Sequence, residues 1–477
     1  FCRLMNDNLK IYALLTGSGI GTKPLQSFLD GHPKIITIPG YPLVYFYPHW
    51  KHWEETLNEW SWDSIVKIFT ERHASVIDSR LIPGFNGLAT LGDNGDDHVE
   101  IDKVKFIKYL KEYLHGKKIS SRTFLLGVHI IYAMVSNTNK NNYKIIIFHL
   151  HNVQYLRYFL DDFPEGKVIS MSRDPRANIG GRIKSAHNVD NGKLNKTDAI
   201  IYQKYNYINV CKFLYHDTYN ILDEMKPSNV AIVGLENLYY NLEQTMQNLS
   251  NWIGIEFNSS MLIMTFSGKT WWGDKVYNMG RLNSINPRVV STGWKSGLSL
   301  IEWFIIEGLS YQIMTNHGYK VEKYKKDNIV YRLILFVLIL LPSSYEIQTI
   351  KYYFNPKKYI EFLKASINES NKKSHLKDYT INATYLYKWS YIDLKLWKTP
   401  MYKRFIINLQ KSSDCNIVIY NLCRVNYVVS VHIKLLFSIL LYPVTYIKRV
   451  FIMYRALYRR FFKRYHIPPL IYSMPLK

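Results

Sequence analysis

Residues 10–30 read KIYALLTGSGIGTKPLQSFLD. The first seven, Lys10 to Thr16, form an almost unbroken apolar run that ends on glycine, the pattern of a short strand buried on both faces. Gly17-Ser18-Gly19-Ile20-Gly21-Thr22-Lys23 follows at once. Pro24 suits a first helical turn, and Leu25, Phe28 and Leu29 recur at helical spacing until Gly31-His32-Pro33 stops the helix. Strand, glycine turn and helix in that order aim backbone N–H groups and the positive end of a helix dipole at one point, where a phosphate can sit. The loop has no Gly-Lys-Ser/Thr step, so it is not a Walker A loop. A tight strand-to-helix turn without a ligand has the same pattern, so this stretch points to an α/β fold and leaves function open.

A second strand-to-turn unit lies further along. Gly166 to Ser172 (GKVISMS) is a short apolar strand that runs into Arg173-Asp174-Pro175-Arg176, and Ala177 to Lys184 can be helical. An arginine at the carboxyl end of a parallel strand faces the crevice where open α/β sheets bind ligands. Its planar fork of donors grips a phosphate through two oxygens at once, which lysine cannot do. Composition bounds the rest. With 47% hydrophobic and 15% aromatic residues among 477, the chain is not disordered. Four cysteines (Cys2, Cys211, Cys415 and Cys423), without a Cys-x-x-Cys pair, exclude a disulfide scaffold and fit a reducing compartment.

Together these segments resemble the sulfotransferases that use 3′-phosphoadenosine-5′-phosphosulfate (PAPS). Gly21-Thr22 with Leu25-Gln-Ser-Phe-Leu-Asp-Gly-His-Pro33 is similar to that family's 5′-phosphosulfate loop and helix, and Lys167 to Ala177 to its 3′-phosphate strand and turn. Gly234-Leu-Glu-Asn-Leu238 resembles the "Y-E-D-L" strand end, and Leu242 to Phe257 the helix and "F-L-G" turn after it. Thr265 to Asp274, Thr292-Gly-Trp-Lys295 and a closing helix from Leu300 to Gly318 complete a likeness spanning about residues 10 to 319. The resemblance implies a central parallel sheet flanked by helices and transfer of a sulfuryl group from PAPS to a hydroxyl, with no metal. Its "G-T-x-x-x-Q-S-x-L-D-G-H-P" form favours a carbohydrate or lipid-linked acceptor over a small phenol.

The same resemblance implies the site. Gly19, Ile20, Gly21, Thr22, Lys23 and Pro24 would surround the phosphosulfate, and Arg173 would hold the 3′-phosphate. This chain departs from the pattern at three places. Gly19 stands where the family has a basic residue, and Lys23 is the replacement cation for charge developing on the leaving oxygen. Gly181 stands where a helix serine assists Arg173, with Ser185 or Arg182 one turn on as substitutes. No carboxylate follows Gly31-His32-Pro33, so the proton-accepting base falls to a histidine or glutamate elsewhere. His49, His52 and Glu54 are candidates, as are His149 and His151, with His151 ahead because it lies at a strand end. The catalytic set is therefore Lys23, His151 and His49.

Charge divides the chain. Residues 331–477 hold 24 Lys and Arg against 6 Asp and Glu, so +18 of the net +24 sits there. The expected organisation is a sulfotransferase domain over 8–325 and a basic, apolar, mainly helical region over 326–477. The uncharged stretch Leu333 to Tyr345 is too short to span a bilayer. Residues 425–447 are long enough but carry His432, Lys434 and Pro443, with seven basic residues just beyond. That mixture fits a helix lying on an anionic leaflet. Long aliphatic runs such as Leu435 to Leu441 serve no purpose in nucleic-acid binding, so no nucleic-acid partner is expected. The expected location is cytoplasmic and peripheral to membrane. The rival readings are a non-catalytic nucleotide-binding or scaffolding relative and a kinase of similar loop topology.

Overall fold

The computed structural model describes residues 9–15, 20–82, 87–136, 143–151, 155–181, 225–273, 290, 295, 298–341, 355, 357 and 470–471. Five parallel strands form the centre: β1 (Lys10–Leu15), β2 (Ile35–Thr37), β3 (Ile145–His149), β4 (Lys167–Ser172) and β5 (Val230–Gly234). Their order is β2-β3-β1-β4-β5. β1 is the central strand, pairing Leu14 with His149 on one side and Leu15 with Ser170 on the other. Both of its faces are covered, which is why Ile11 to Leu15 are all apolar and at most 4% exposed.

After β1 the chain turns toward β2 and β3; after β4 it turns the other way, to β5. Connections leaving adjacent strands in opposite directions open a crevice at the carboxyl ends of β1 and β4, the usual ligand site of such sheets. The helix α1 (Thr22–Asp30) follows β1, α2 (Phe46–Thr56) and α3 (Trp62–Arg72) follow β2, and α4 (Lys103–Leu114) and α5 (Ser121–Val135) lead to β3. α6 (Leu156–Asp162) precedes β4, and residues 175–181 are helical after it, starting two residues before the stretch expected from Ala177 to Lys184, of which 182–184 lie outside the described residues. α7 (Leu235–Tyr240) and α8 (Leu242–Ile253) follow β5, then a hairpin of β6 (Thr265–Phe266) and β7 (Lys269–Thr270), then α9 (Leu300–Asn316) and α10 (Ile329–Leu340). The expected α/β sheet with flanking helices is thus observed.

Contacts group the chain into two compact units. One comprises Phe1–Val44, Ser61–Leu338 and Ala456–Lys477, and the other Tyr45–Trp60 and Ile339–Arg455. In the first, the charged run after α9 is tied down. Glu307, fully buried on α9, accepts the backbone N–H groups of Glu322 (3.0 Å), Lys323 and Tyr324 (2.9 Å). Leu335 of α10 is fully buried, its methyls seated over Gly308, where a Cβ would collide with them. At the sheet edge Ile471 donates its N–H to the Ile232 carbonyl (2.8 Å), and Leu470 bridges Ile232 in parallel. Residues 425–447 lie outside the described residues. Among the described ones, no helix is long and apolar enough to cross a membrane.

Candidate functional site

The first part is built where β1 enters α1. Gly21 is the N-cap of α1 in the left-handed conformation (φ 91°), and a Cβ there would run into the side chain of Leu235 at the head of α7. Only glycine fits both demands. The positive end of α1 therefore faces the crevice with Thr22 buried behind it. Lys23, the second residue of α1, holds its ammonium 5.8 Å from the centroid of the Tyr41 ring. Gly19 lies outside the described residues, while Ile20, Gly21, Thr22 and Pro24 line this entry as contiguous chain.

The second part is the exit of β3. His149 ends the strand, fully enclosed, with Nδ1 2.8 Å from Gln26 Oε1 and 2.9 Å from the Gly40 carbonyl. Leu150 continues the ladder by donating to the Leu14 carbonyl (3.1 Å). His151 then adopts φ 61°, a left-handed conformation that costs a non-glycine residue on the order of 1–3 kcal/mol and persists where the surroundings impose it. Its ring stacks on Tyr41 with centroids 4.1 Å apart and planes 18° apart, and lies 5.4 Å from the His149 ring. Tyr41 thus gathers Lys23 and His151 about one aromatic ring.

Both imidazoles are held neutral. Burial pulls the His151 pKa down to about 3, helped by the Lys23 charge. Burial also takes His149 well below the usual range, with His151 and Lys23 adding to the effect. At pH 7 each ring is therefore neutral, with hydrogen on one nitrogen and a lone pair on the other.

The third part is the turn after β4. A Cβ on Gly181 would stand 3.5 Å from Nη2 of Arg173, so the Arg173 guanidinium lies over Gly181. Arg176, three positions on, is spent elsewhere: it is 4% exposed, bound through Nη2 to Asp174 (2.7 Å) and through Nη1 to Glu307 (2.6 Å). The turn is held by Glu236 of α7, buried and pushed toward its neutral form, which accepts from the Asp174 N–H (2.9 Å) and the Tyr319 hydroxyl (2.8 Å). Ser185 and Arg182 lie outside the described residues.

Other contacts hold the remaining candidates. His49 and His52 are both buried on α2, which belongs to the second compact unit, and His49 stacks on Trp53 of its own helix at 5.9 Å. Glu54 accepts from Trp50 Nε1 (2.8 Å) and Lys51 Nζ (3.0 Å) in that helix. His32 is structural: its Nδ1 accepts from the Lys34 N–H (3.0 Å), so Nε2 donates to the Glu256 carbonyl (2.9 Å). Sequence reasoning did not find Gln26 or Tyr41. Neither belongs to a residue class usually sought in catalysis, and their value comes from contacts across the fold.

Among curated proteins no match was found. Solved structures with similarity include the sulfotransferase domain from the curacin biosynthetic pathway, 15% identical over 66% of this chain and 99% of that one, with a TM-score of 0.39. The sulfotransferase domain of the Synechococcus PCC 7002 olefin synthase is 14% identical over 61% of this chain and 88% of its own, at a TM-score of 0.33. Sulfotransferase STF9 from Mycobacterium avium is 11% identical over 67% and 80%, at 0.34. A family model for the sulfotransferase family matches residues 21–259, which runs from the glycine that caps α1, through β3 and the Arg173 turn, to the segment after α8. With the match covering half the chain, and the parallel sheet and phosphate-loop helix in place, this chain belongs to the sulfotransferase family.

Proposed function

We propose that the chain moves a sulfuryl group from PAPS to a hydroxyl group. The observation that carries this reading is the meeting of Lys23 and His151 around Tyr41, at the end of the sheet where Arg173 leaves β4. The residues fit the donor. Charge on the 5′ side would face the amino end of α1 and Lys23, and the 3′-phosphate would face Arg173, whose neighbour Gly181 leaves open the space that a side chain would fill. In the transfer, a bond forms between the acceptor oxygen and sulfur as the bond from sulfur to the phosphate oxygen breaks. The acceptor's proton goes to His151, and Lys23 balances the charge gathering on the departing oxygen. Lys23 is this chain's answer to Gly19. His151 is preferred over His49 as the base because it shares Tyr41 with Lys23. A polyanion bound nearby opposes the effects that depress the His151 pKa, which raises its basicity when needed.

The acceptor belongs to the carbohydrate or glycolipid class on the form of the phosphate-loop motif. Peripheral attachment to an anionic membrane from the cytoplasmic side accords with the basic tail and with α10, which exposes Leu333, Phe336, Val337 and Leu340. Calorimetric titration with PAP, PAPS and ATP tests the donor: binding of PAP and PAPS without ATP is expected, ATP preference would favour a kinase, and no binding would favour a scaffold. Lys23→Met keeps the side-chain length and removes the charge. PAP should bind within a few-fold while single-turnover PAPS hydrolysis falls by about two to three orders of magnitude, the usual loss for one electrostatic stabiliser. Unchanged hydrolysis would remove Lys23 from the reaction.

A further inference from the structure

We infer that His149 is a positioning residue that decides which nitrogen of His151 accepts the proton; the inference rests on His151 being the base. Gln26 starts the argument. Its amide nitrogen lies 2.7 Å from the Ile38 carbonyl and 2.8 Å from Thr37 Oγ1. A carbonyl can only accept, so the NH2 group faces Ile38 and the amide oxygen faces His149. His149 Nδ1 therefore meets two oxygens that only accept, Gln26 Oε1 and the Gly40 carbonyl, and must carry the hydrogen. In the neutral ring Nε2 is then a lone pair, and among the described residues it is a buried atom with no hydrogen-bond partner.

His151 Nδ1 is the other such atom on the neighbouring ring. With Nδ1 as N–H, His151 presents a donor to the His149 lone pair, joined by a small ring rotation or one bridging water. With the hydrogen on Nε2, two buried lone pairs would be left without a donor between them. The Nδ1–H tautomer leaves Nε2 of His151 as the atom that takes the acceptor's proton. Once it has done so, the imidazolium keeps its Nδ1–H directed at His149. The left-handed backbone of His151 and its stacking on Tyr41 hold the ring for this role. His149 is thereby to His151 what a carboxylate is to the histidine of a hydrolytic triad, a group that fixes tautomer and orientation without touching substrate.

The test uses the full chain labelled with 15N-histidine, with long-range proton–nitrogen spectra at pH 7.5 and the His151 signal identified by its loss in His151→Gln. His151 protonated at Nδ1 is expected, and protonation at Nε2 overturns the inference. In His149→Phe the preference should disappear, and single-turnover PAPS hydrolysis should fall about tenfold at saturating PAPS with PAP affinity kept within twofold. His149→Asn, whose side-chain oxygen can accept, should recover part of that rate. An Nδ1–H signal that survives unchanged in His149→Phe also overturns it. The base reading fails separately, if His151→Gln hydrolyses PAPS at the parent rate.

Discussion

Arg173 and Arg176 stand three positions apart and meet opposite surroundings. Arg173 lies over the small Gly181, at the open end of β4, whereas Arg176 is enclosed by Asp174 and Glu307. Arg173→Ala should cost about 3 kcal/mol of PAP affinity, more than a hundredfold by calorimetry, and leave the melting temperature within about a degree. Arg176→Ala should do the reverse, because it strands the buried Glu307 carboxylate and the partly buried Asp174; a loss of about 3–5 kcal/mol in denaturant unfolding is expected, with any loss of binding secondary to it. Equal effects of both would remove the 3′-phosphate from Arg173. Gly181→Ser probes the same spot by addition. The new Cβ meets Arg173 at ordinary contact distance, and a hydroxyl there can join the phosphate, so PAP should bind roughly tenfold tighter, the worth of one hydrogen bond to a charged group. Unchanged affinity would place the phosphate elsewhere.

At the scale of an element, α5 shows how burial turns histidine into a pH-sensitive part of the core. His129 is 1% exposed, with Nδ1 2.7 Å from the Leu125 carbonyl one turn back, and burial lowers its pKa to about 4. The unfolded chain binds a proton at this site below about pH 6.5, while the folded chain does not until about pH 4. Stability is therefore undiminished above pH 6.5 and falls as pH drops through that window, by up to about 1.4 kcal/mol per unit for this residue. His149 and His151 act in the same direction. Glu236 opposes them, since its raised pKa adds stability at low pH that is lost as pH rises above 4.5. Three groups outweigh one, so melting temperature should decline from pH 7 to pH 5. His129→Phe should make that decline shallower by one proton; an unchanged slope would mean that His129 is charged in the fold.

For the whole molecule, the segments beyond α9 complete the first unit as well as carrying charge. Leu335 covers Gly308, and Leu470 with Ile471 extends the sheet beyond β5. A chain ending at Asn328 should keep its five strands and bind PAP, but with a melting temperature several degrees lower and stronger binding of an apolar dye, since an edge strand and a core groove are uncovered. Unaltered melting would show that neither contact adds stability. Residues 10–30 by themselves determined the strand and the glycine-capped helix, because each depends on neighbours within a turn of chain. The strand before Arg173 was legible for the same reason. Pairings across long separations were not: Gln26 meets His149 across 123 residues, and Arg176 meets Glu307 across 131. No local pattern records which side chain another segment will face, so only the tertiary structure could divide the work of two nearby arginines. It alone set His151 and Lys23 about the same Tyr41 ring, because the parallel order of β1 and β3 brings together the ends of strands distant in sequence.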